Sequence, residues 1–218
     1  MKSSKNYLAL PQQLFGKLEL NRNCELRSDL APLMAKSSST GCTHFELNAL
    51  YQHIVKTEPK HVLELGSGIS TVVLAHAAKV LREKGIECSV VSMEESRHYH
   101  DELHALFPKS LLPYVRLMRS DVEDRRMGGS IARSYRDTPR QAYDLVFIDG
   151  PQIPKEPEYL DGDLLNVQSY NTKAFVAYLD GRKSTRLNLM RLLPGARFKH
   201  NALHKWTRID IPEKAQRR

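Results

Sequence analysis

The sequence predicts an α/β fold, a three-layer sandwich in which an open, mostly parallel sheet carries helices on both faces. Three observations point to it. Short apolar runs recur along the chain, separated by stretches with helical spacing. One run, His61 to Leu65, breaks into Gly66-Ser67-Gly68 and continues as an amphipathic segment to about Lys84, the pattern of strand, glycine turn and helix. The runs also end in, or are soon followed by, a carboxylate: Glu64, Glu94, Asp121, Asp149 and Asp180. In an open parallel sheet those ends lie along one rim, where ligands bind.

Taken in order, residues 1–42 read as an irregular N-terminal extension, broken by Pro11, Gly16 and Pro32 and ending in Ser37-Ser38-Ser39-Thr40-Gly41. Thr43 with Glu46 is a capping-box pattern, and Leu47, Leu50, Ile54 and Val55 give the following helix an apolar face up to Pro59. After the glycine turn, Val72, Val73, Ala75, Ala77 and Leu81 suit a helix packed on a sheet, and Gly85 stops it. Cys88 to Met93 reads as the second strand, and Ser96 caps a helix to Phe107. Tyr114 to Arg119 is a third strand, Tyr143 to Ile148 a fourth, and Ala174 to Leu179 a fifth. Ser184 or Thr185 caps a helix that Pro194-Gly195 ends, and Arg197 to Ile211 reads as two short strands joined near Asn201. Residues 212–218 form a basic tail.

With 218 residues, 41% of them hydrophobic, the chain suffices for one domain with a substantial core, assigned to 43–211. Cys24, Cys42 and Cys88 are odd in number and widely spaced, which points away from a disulfide framework and fits a reducing cytoplasm. Lys2 and Lys5 precede no apolar core of signal-peptide length, and no apolar run approaches a membrane span, so no membrane partner is expected. The net charge of +8 suits an anionic partner or simply solubility.

The glycine turn separates ligand classes by its surroundings. A dinucleotide site wants a third glycine where Thr71 stands, and Glu64, two residues before Gly66, would repel a pyrophosphate but can meet an ammonium group. A zwitterionic ligand bearing a carboxylate fits the turn and the helix N-terminus beyond it. At these residues the chain resembles the class I S-adenosylmethionine-dependent methyltransferases, whose first motif is an apolar strand, an acid, and G-x-G-x-G or a close variant. Ser70 replaces the last glycine, a substitution that also occurs in that family. The resemblance covers roughly residues 44 to 211. It implies a seven-stranded sheet with an antiparallel last strand and S-adenosyl-L-methionine as cofactor. Glu64 and the turn (Gly66, Ser67, Gly68, Ser70, Thr71) would hold the methionine part, Glu94 the ribose, and Asp121 would lie near the adenine, with Asp149 beside them.

The strand Asp144-Leu145-Val146-Phe147-Ile148-Asp149-Gly150 looks like that of small-molecule O-methyltransferases, and Asp149-Gly150-Pro151 departs from the signature of amino-group methylation on bases. An oxygen acceptor is therefore expected, small or, if the arginine-rich stretch 123–140 and the segment 151–163 flank it, anionic or polyhydroxylated. Asp149 and Asp180 are the candidate catalytic carboxylates, with His200 or His204 as other sources of a base. Metal-dependent members of that group carry Asp-Asn where this chain has Asp180-Gly181, so no metal is expected. An aminopropyltransferase would want a second acid after the fourth strand, and a non-catalytic relative would lose the first motif. Both remain weaker readings, as does a nucleic-acid methyltransferase.

His100 and His104, at i and i+4, imitate a zinc-protease motif, but Asp101 stands where that motif needs its Glu. Asp161, Asp163 and Asn166 can be read as a metal loop, against which 151–163 reads better as a substrate-side lid. The stretch from Glu123 to Arg140, with Arg125, Arg126, Arg133, Arg136 and Arg140, reads as a solvated connection or as anion recognition. Only Tyr135 interrupts its charges, so nucleic acid is not favoured there.

Overall fold

The computed structural model describes residues 10–37 and 42–214. Lys2 and Lys5, the run 38–41 and residues 215–218 of the basic tail lie outside the described residues. In chain order the helices are α1 (Leu10–Arg22), α2 (Cys24–Lys36), α3 (His44–Thr57), α4 (Ile69–Glu83), α5 (Arg97–Leu106), α6 (Asp163–Tyr170) and α7 (Lys183–Leu192). The strands are β1 (His61–Leu65), β2 (Ser89–Glu94), β3 (Val115–Arg119), β4 (Val122–Met127), β5 (Ser130–Tyr135), β6 (Leu145–Ile148), β7 (Tyr159–Asp161), β8 (Phe175–Asp180), β9 (Arg197–Asn201) and β10 (Trp206–Ile211).

A seven-stranded sheet runs β3-β2-β1-β6-β8-β10-β9. β1 pairs in parallel with β2 and β6, β2 with β3, and β6 with β8, while β10 is antiparallel to both β8 and β9. The expected mostly parallel sheet with an antiparallel last strand is therefore present. Strands β1 and β6 form its middle and are buried on both faces, which is why they read as unbroken apolar runs. Successive side chains point to opposite faces. Val62 and Phe147 meet Leu50 and Ile54 of α3 and Leu74 of α4, while Leu63 and Ile148 meet Leu164 and Val167 of α6 and Leu189 of α7. The chain leaves β1 toward β2 and β3, then returns to β6 on the other side. The β1/β6 boundary is thus a topological switch point, where an open sheet leaves a crevice at its carboxyl rim.

Three expectations require correction. The irregular extension is instead helical over 10–36. Gly16 marks a close approach, since a Cβ there would lie 2.7 Å from the His44 carbonyl at the start of α3. Pro32 is accommodated within α2 because Leu26, Leu30 and Leu33 bury a stripe against Val72 and Val73 of α4. The Nδ1 of His76, a fully buried residue of α4, lies 2.8 Å from the carboxylate of Asp29, and its Nε2 lies 3.1 Å from the side chain of Asn23.

The second correction concerns Glu123 to Arg140, which is no loose connection. β4 and β5 form a hairpin turned at Gly128-Gly129, both at positive φ (52° and 80°), and β7 joins it in parallel with β5. This small sheet packs Ala132, Tyr135 and Leu160 onto the core face of the large one, leaving Arg125 and Arg126 in water. The supposed lid over 151–163 likewise ends in buried structure. Asp161 and Asp163 are both 0% exposed. Asp163 accepts from the Tyr135 amide (3.1 Å) and the Thr138 hydroxyl (3.0 Å).

The third correction is at the start of α7. Its first residue is preceded by Arg182, whose side chain makes no cap, and Thr185 donates its hydroxyl to Asp161 (2.6 Å) instead of capping the helix.

Candidate functional site

The glycine turn leaves β1 at the switch point. Gly66 has φ +90°, and its amide donates to the Met93 carbonyl (3.0 Å) at the end of β2. A Cβ on Gly66 would fall 2.6 Å from the Gly150 amide nitrogen, and one on Gly150 would fall 2.6 Å from Gly66 Cα. The ends of β1 and β6 thus meet backbone to backbone, which only glycine at both positions allows.

Glu64 lies below the turn, 0% exposed. Its Oε2 accepts from the hydroxyls of Thr71 and Ser92, each at 2.6 Å, while its Oε1 is buried with no hydrogen-bond partner among the described residues. Burial pushes its pKa up to about 7, against the pull of the Ser70, Ser92 and Thr71 hydroxyls. A buried acceptor left open is costly, and a cationic donor entering the crevice would satisfy it. The residues present therefore fit an ammonium-bearing ligand. Thr71 also accepts from the Gly68 amide (3.0 Å), tying the turn to the first helical turn of α4, where Ser70 is buried beside it.

Glu94, at the end of β2 and also buried, orders the same turn. Its Oε2 accepts from the Ser67 amide (3.2 Å) and hydroxyl (3.0 Å), and its Oε1 accepts from the Ser96 amide (2.9 Å). Burial raises its pKa. Asp121 is set apart. Its side chain is 67% exposed and faces Arg119 at 3.4 Å, and no side-chain hydrogen bond among the described residues joins it to the turn.

Asp149 follows β6, its amide bound to the Leu65 carbonyl (2.8 Å). Its carboxyl is pushed up to about 7, first by burial and then by the nearby charge of Asp180 at the end of β8, with Arg182 opposing. Two residues outside the expected set converge there. Cys42 lies with its Sγ 4.0 Å from Asp149 Oδ2, and its thiol is pushed well above the usual range, by burial first and then by Asp149. Glu46 closes the capping box of α3 with Thr43 and is itself raised by burial and by Asp180. The rim thus gathers acidic groups from α3, β1, β6 and β8, where a cation is welcome.

Basic and neutral groups frame this acidic rim. The Arg182 guanidinium donates to the Pro151 carbonyl (2.7 Å), to Asp161 (2.9 Å) and to the Asp149 carbonyl, clamping the segment after β6. Glu95 accepts from the Tyr135 hydroxyl (2.7 Å) and the Gln152 amide (2.8 Å), joining the end of β2 to the same segment. Arg133, expected to recognise an anion, is held bidentate by Asp124 (2.7 and 2.8 Å). His200 and His204 lie on or beside the β9–β10 turn. His204 stacks on Phe45 with ring centroids 3.8 Å apart, and its Nδ1 lies 3.3 Å from the Gln13 amide nitrogen. Glu46 and Arg182 escaped the sequence reading because each looked like a local feature, a helix cap and a charge after a turn.

No protein-family model matches the sequence, and no curated protein matches it. Solved structures do match the fold. The SAH-bound methyltransferase PaMTH1 of Podospora anserina superimposes with a TM-score of 0.54 at 11% identity, over 98% of this chain and 89% of that one. The O-methyltransferase of Bacillus cereus, in complex with SAH, gives 0.53 at 13% identity over 84% and 90%. The T. thermophilus 16S rRNA N2 G1207 methyltransferase RsmC, in complex with AdoMet and guanosine, gives 0.53 at 14% identity over 82% and 45%. At such identities the likeness concerns the fold. The α/β fold of this chain, with its mostly parallel seven-stranded sheet, is thus the fold of solved methyltransferases.

Proposed function

We propose that the chain is an S-adenosylmethionine-dependent methyltransferase acting on an oxygen of a small or anionic or polyhydroxylated acceptor. The observation that carries this reading is Glu64: a wholly buried carboxylate beneath a glycine turn, with one oxygen left without a donor. The cofactor would supply an electrophilic methyl group on a sulfonium, transferred by in-line displacement. In this reading Glu64 receives the ammonium group of the methionine part, Gly66 and Gly68 let the backbone lie against it, and Glu94 presents its remaining lone pairs to ribose hydroxyls. Ser67, Ser70 and Thr71 hold the turn in place.

Such a displacement is accelerated chiefly by alignment of nucleophile and methyl, so positioning outweighs acid–base help unless the nucleophile is a hydroxyl. For a hydroxyl, Asp149 is the carboxylate best tuned as base. Burial and Asp180 bring it near neutrality, where general-base catalysis is most effective. Asp180 orients the acceptor and keeps Asp149 basic.

The test titrates the purified protein with S-adenosylmethionine and with NAD in parallel by calorimetry. Binding of the sulfonium cofactor, lost on Glu94→Ala together with Glu64→Gln, is the expected result. Binding of NAD with none of S-adenosylmethionine would overturn the proposal.

A further inference from the structure

Directly after Asp180 in the chain, Gly181 and Arg182 line a cavity of about 290 Å³ that is rich in basic side chains. Lys183 and Arg186 enter it from the first turn of α7, Lys205 from the β9–β10 turn, and His200 and Thr207 from the two strands. Arg182 lines its inner edge but is committed to Asp161 and the Pro151 carbonyl. Lys183, Arg186 and Lys205 have no carboxylate partner among the described residues, whereas the adjoining Arg182 is paired with Asp161. The arrangement is held in place: the Gly181 amide donates to the Lys205 carbonyl (2.9 Å), and the His200 Nδ1 lies 2.9 Å from the Thr207 hydroxyl. The uncapped amides at the start of α7 add to the positive potential.

We propose that this cavity binds a phosphomonoester group on the methyl acceptor. Three uncommitted cations around one small space suit a dianion better than a single carboxylate, because each oxygen can take its own charge-assisted donor. A lone carboxylate would leave at least one cation facing its neighbours unscreened. Nucleic acid is the poorer occupant, since the lining has no ring on which a base stacks apart from the imidazole of His200. Gly181, which lines the cavity, follows Asp180, and the charge of Asp180 acts on Asp149, so an acceptor anchored by phosphate would sit next to the carboxylates of the rim. The assignment of the anion to the acceptor rests on the methyltransferase reading; the anion site itself does not.

The test uses phenyl phosphate and benzoate as probes, titrated calorimetrically into the full chain at low ionic strength. Wild type is expected to bind phenyl phosphate at least about tenfold more tightly than benzoate, with the affinity falling as salt rises. Lys183→Ser with Arg186→Ser should weaken phenyl phosphate by about a hundredfold, roughly tenfold for each charged contact. Lys205→Gly is the second variant. Lys205 has φ +56°, which glycine adopts without strain, so this change removes a charge and relieves the backbone. It should weaken the probe by about tenfold.

Undiminished phenyl phosphate affinity in both variants would overturn the site, as would equal affinity for benzoate. A single-stranded RNA oligonucleotide that binds more tightly than phenyl phosphate, and is lost in the same variants, would overturn it in favour of nucleic acid. S-adenosylmethionine titrated into the same samples separates the two proposals. Cofactor binding without phenyl phosphate binding removes the cavity alone, and the converse removes the methyltransferase reading while the anion site stands.

Discussion

Replacing Glu64 by Gln should stabilise the protein without ligand at alkaline pH while weakening its cofactor binding. Glu64 is 0% exposed, and burial lifts its pKa from the ordinary 4.5 to about 7. A folded-state pKa above the unfolded one means that the native state favours the protonated form. The stability this group contributes is therefore complete below pH 4.5 and is lost as the pH rises through about 7. The gap is about 2.5 pH units, and at about 1.4 kcal/mol for each, the ionised carboxylate costs the fold about 3 kcal/mol at pH 8. Glutamine has no charge to bury. Its carbonyl can accept from Thr71 and Ser92 as Oε2 does now, but its amide would occupy the place of the unpartnered Oε1, at a cost of about 1 to 2 kcal/mol. The net gain at pH 8 is about 1 to 2 kcal/mol, and it reverses to a loss at pH 5, where the wild-type carboxyl is already protonated. Urea denaturation of both proteins at the two pH values reads the stability, and calorimetric titration with S-adenosylmethionine reads the affinity, which should fall at least about tenfold if an ammonium group meets this oxygen. A variant equally destabilised at pH 5 and pH 8 would refute the claim that Glu64 is buried against its charge.

Further outcomes follow from the same geometry. Gly150→Ala should cost about 3 kcal/mol in urea denaturation, because the new Cβ would lie 2.6 Å from Gly66 Cα, and backbone on both sides has little room to yield. Asp149→Asn should lower turnover on a hydroxyl acceptor by about 10² to 10⁴ while leaving cofactor affinity nearly unchanged. In wild type that turnover should rise with pH through about 7, where Asp149 loses its proton, and the rise should vanish in the variant; full turnover in the variant would remove Asp149 from the chemistry. His76→Ala should unmoor α2 from α4, since it leaves the Asp29 carboxylate and the Asn23 amide without their buried partner. We expect a loss of about 1 to 3 kcal/mol and faster proteolysis within residues 10–36 than in the core, measured by mass spectrometry of the fragments.

Strands β1 and β6 were legible in the sequence because central parallel strands are buried on both faces and must be apolar throughout. The glycine turn was legible because a sharp reversal beside another backbone leaves no room for a side chain, and the Thr43–Glu46 box because a helix start needs its donors satisfied within four residues. Each of these is a constraint that acts locally. β4, β5 and β7 escaped for the opposite reason. β4 is largely exposed, the arginines of β4 and β5 imitate a solvated loop, and β7 is a strand only because it pairs with β5 far along the chain, as Arg133 pairs with Asp161. Helices α1 and α2 were hidden by Pro32 and Gly16, whose local cost is met by contacts with α3 and α4 that no window of sequence contains.

The site divides the same way. The sequence by itself determined that carboxylates end the strands, because strand ends in such a sheet meet at one rim. Tertiary structure decided which of them are buried together: Glu64, Asp149 and Glu46 share a desolvated corner, Asp161 is neutralised by Arg182, and Asp121 stays in water. Desolvation and the charges of neighbours set how each carboxyl behaves, and both are properties of the packed rim that appear only when distant segments come together.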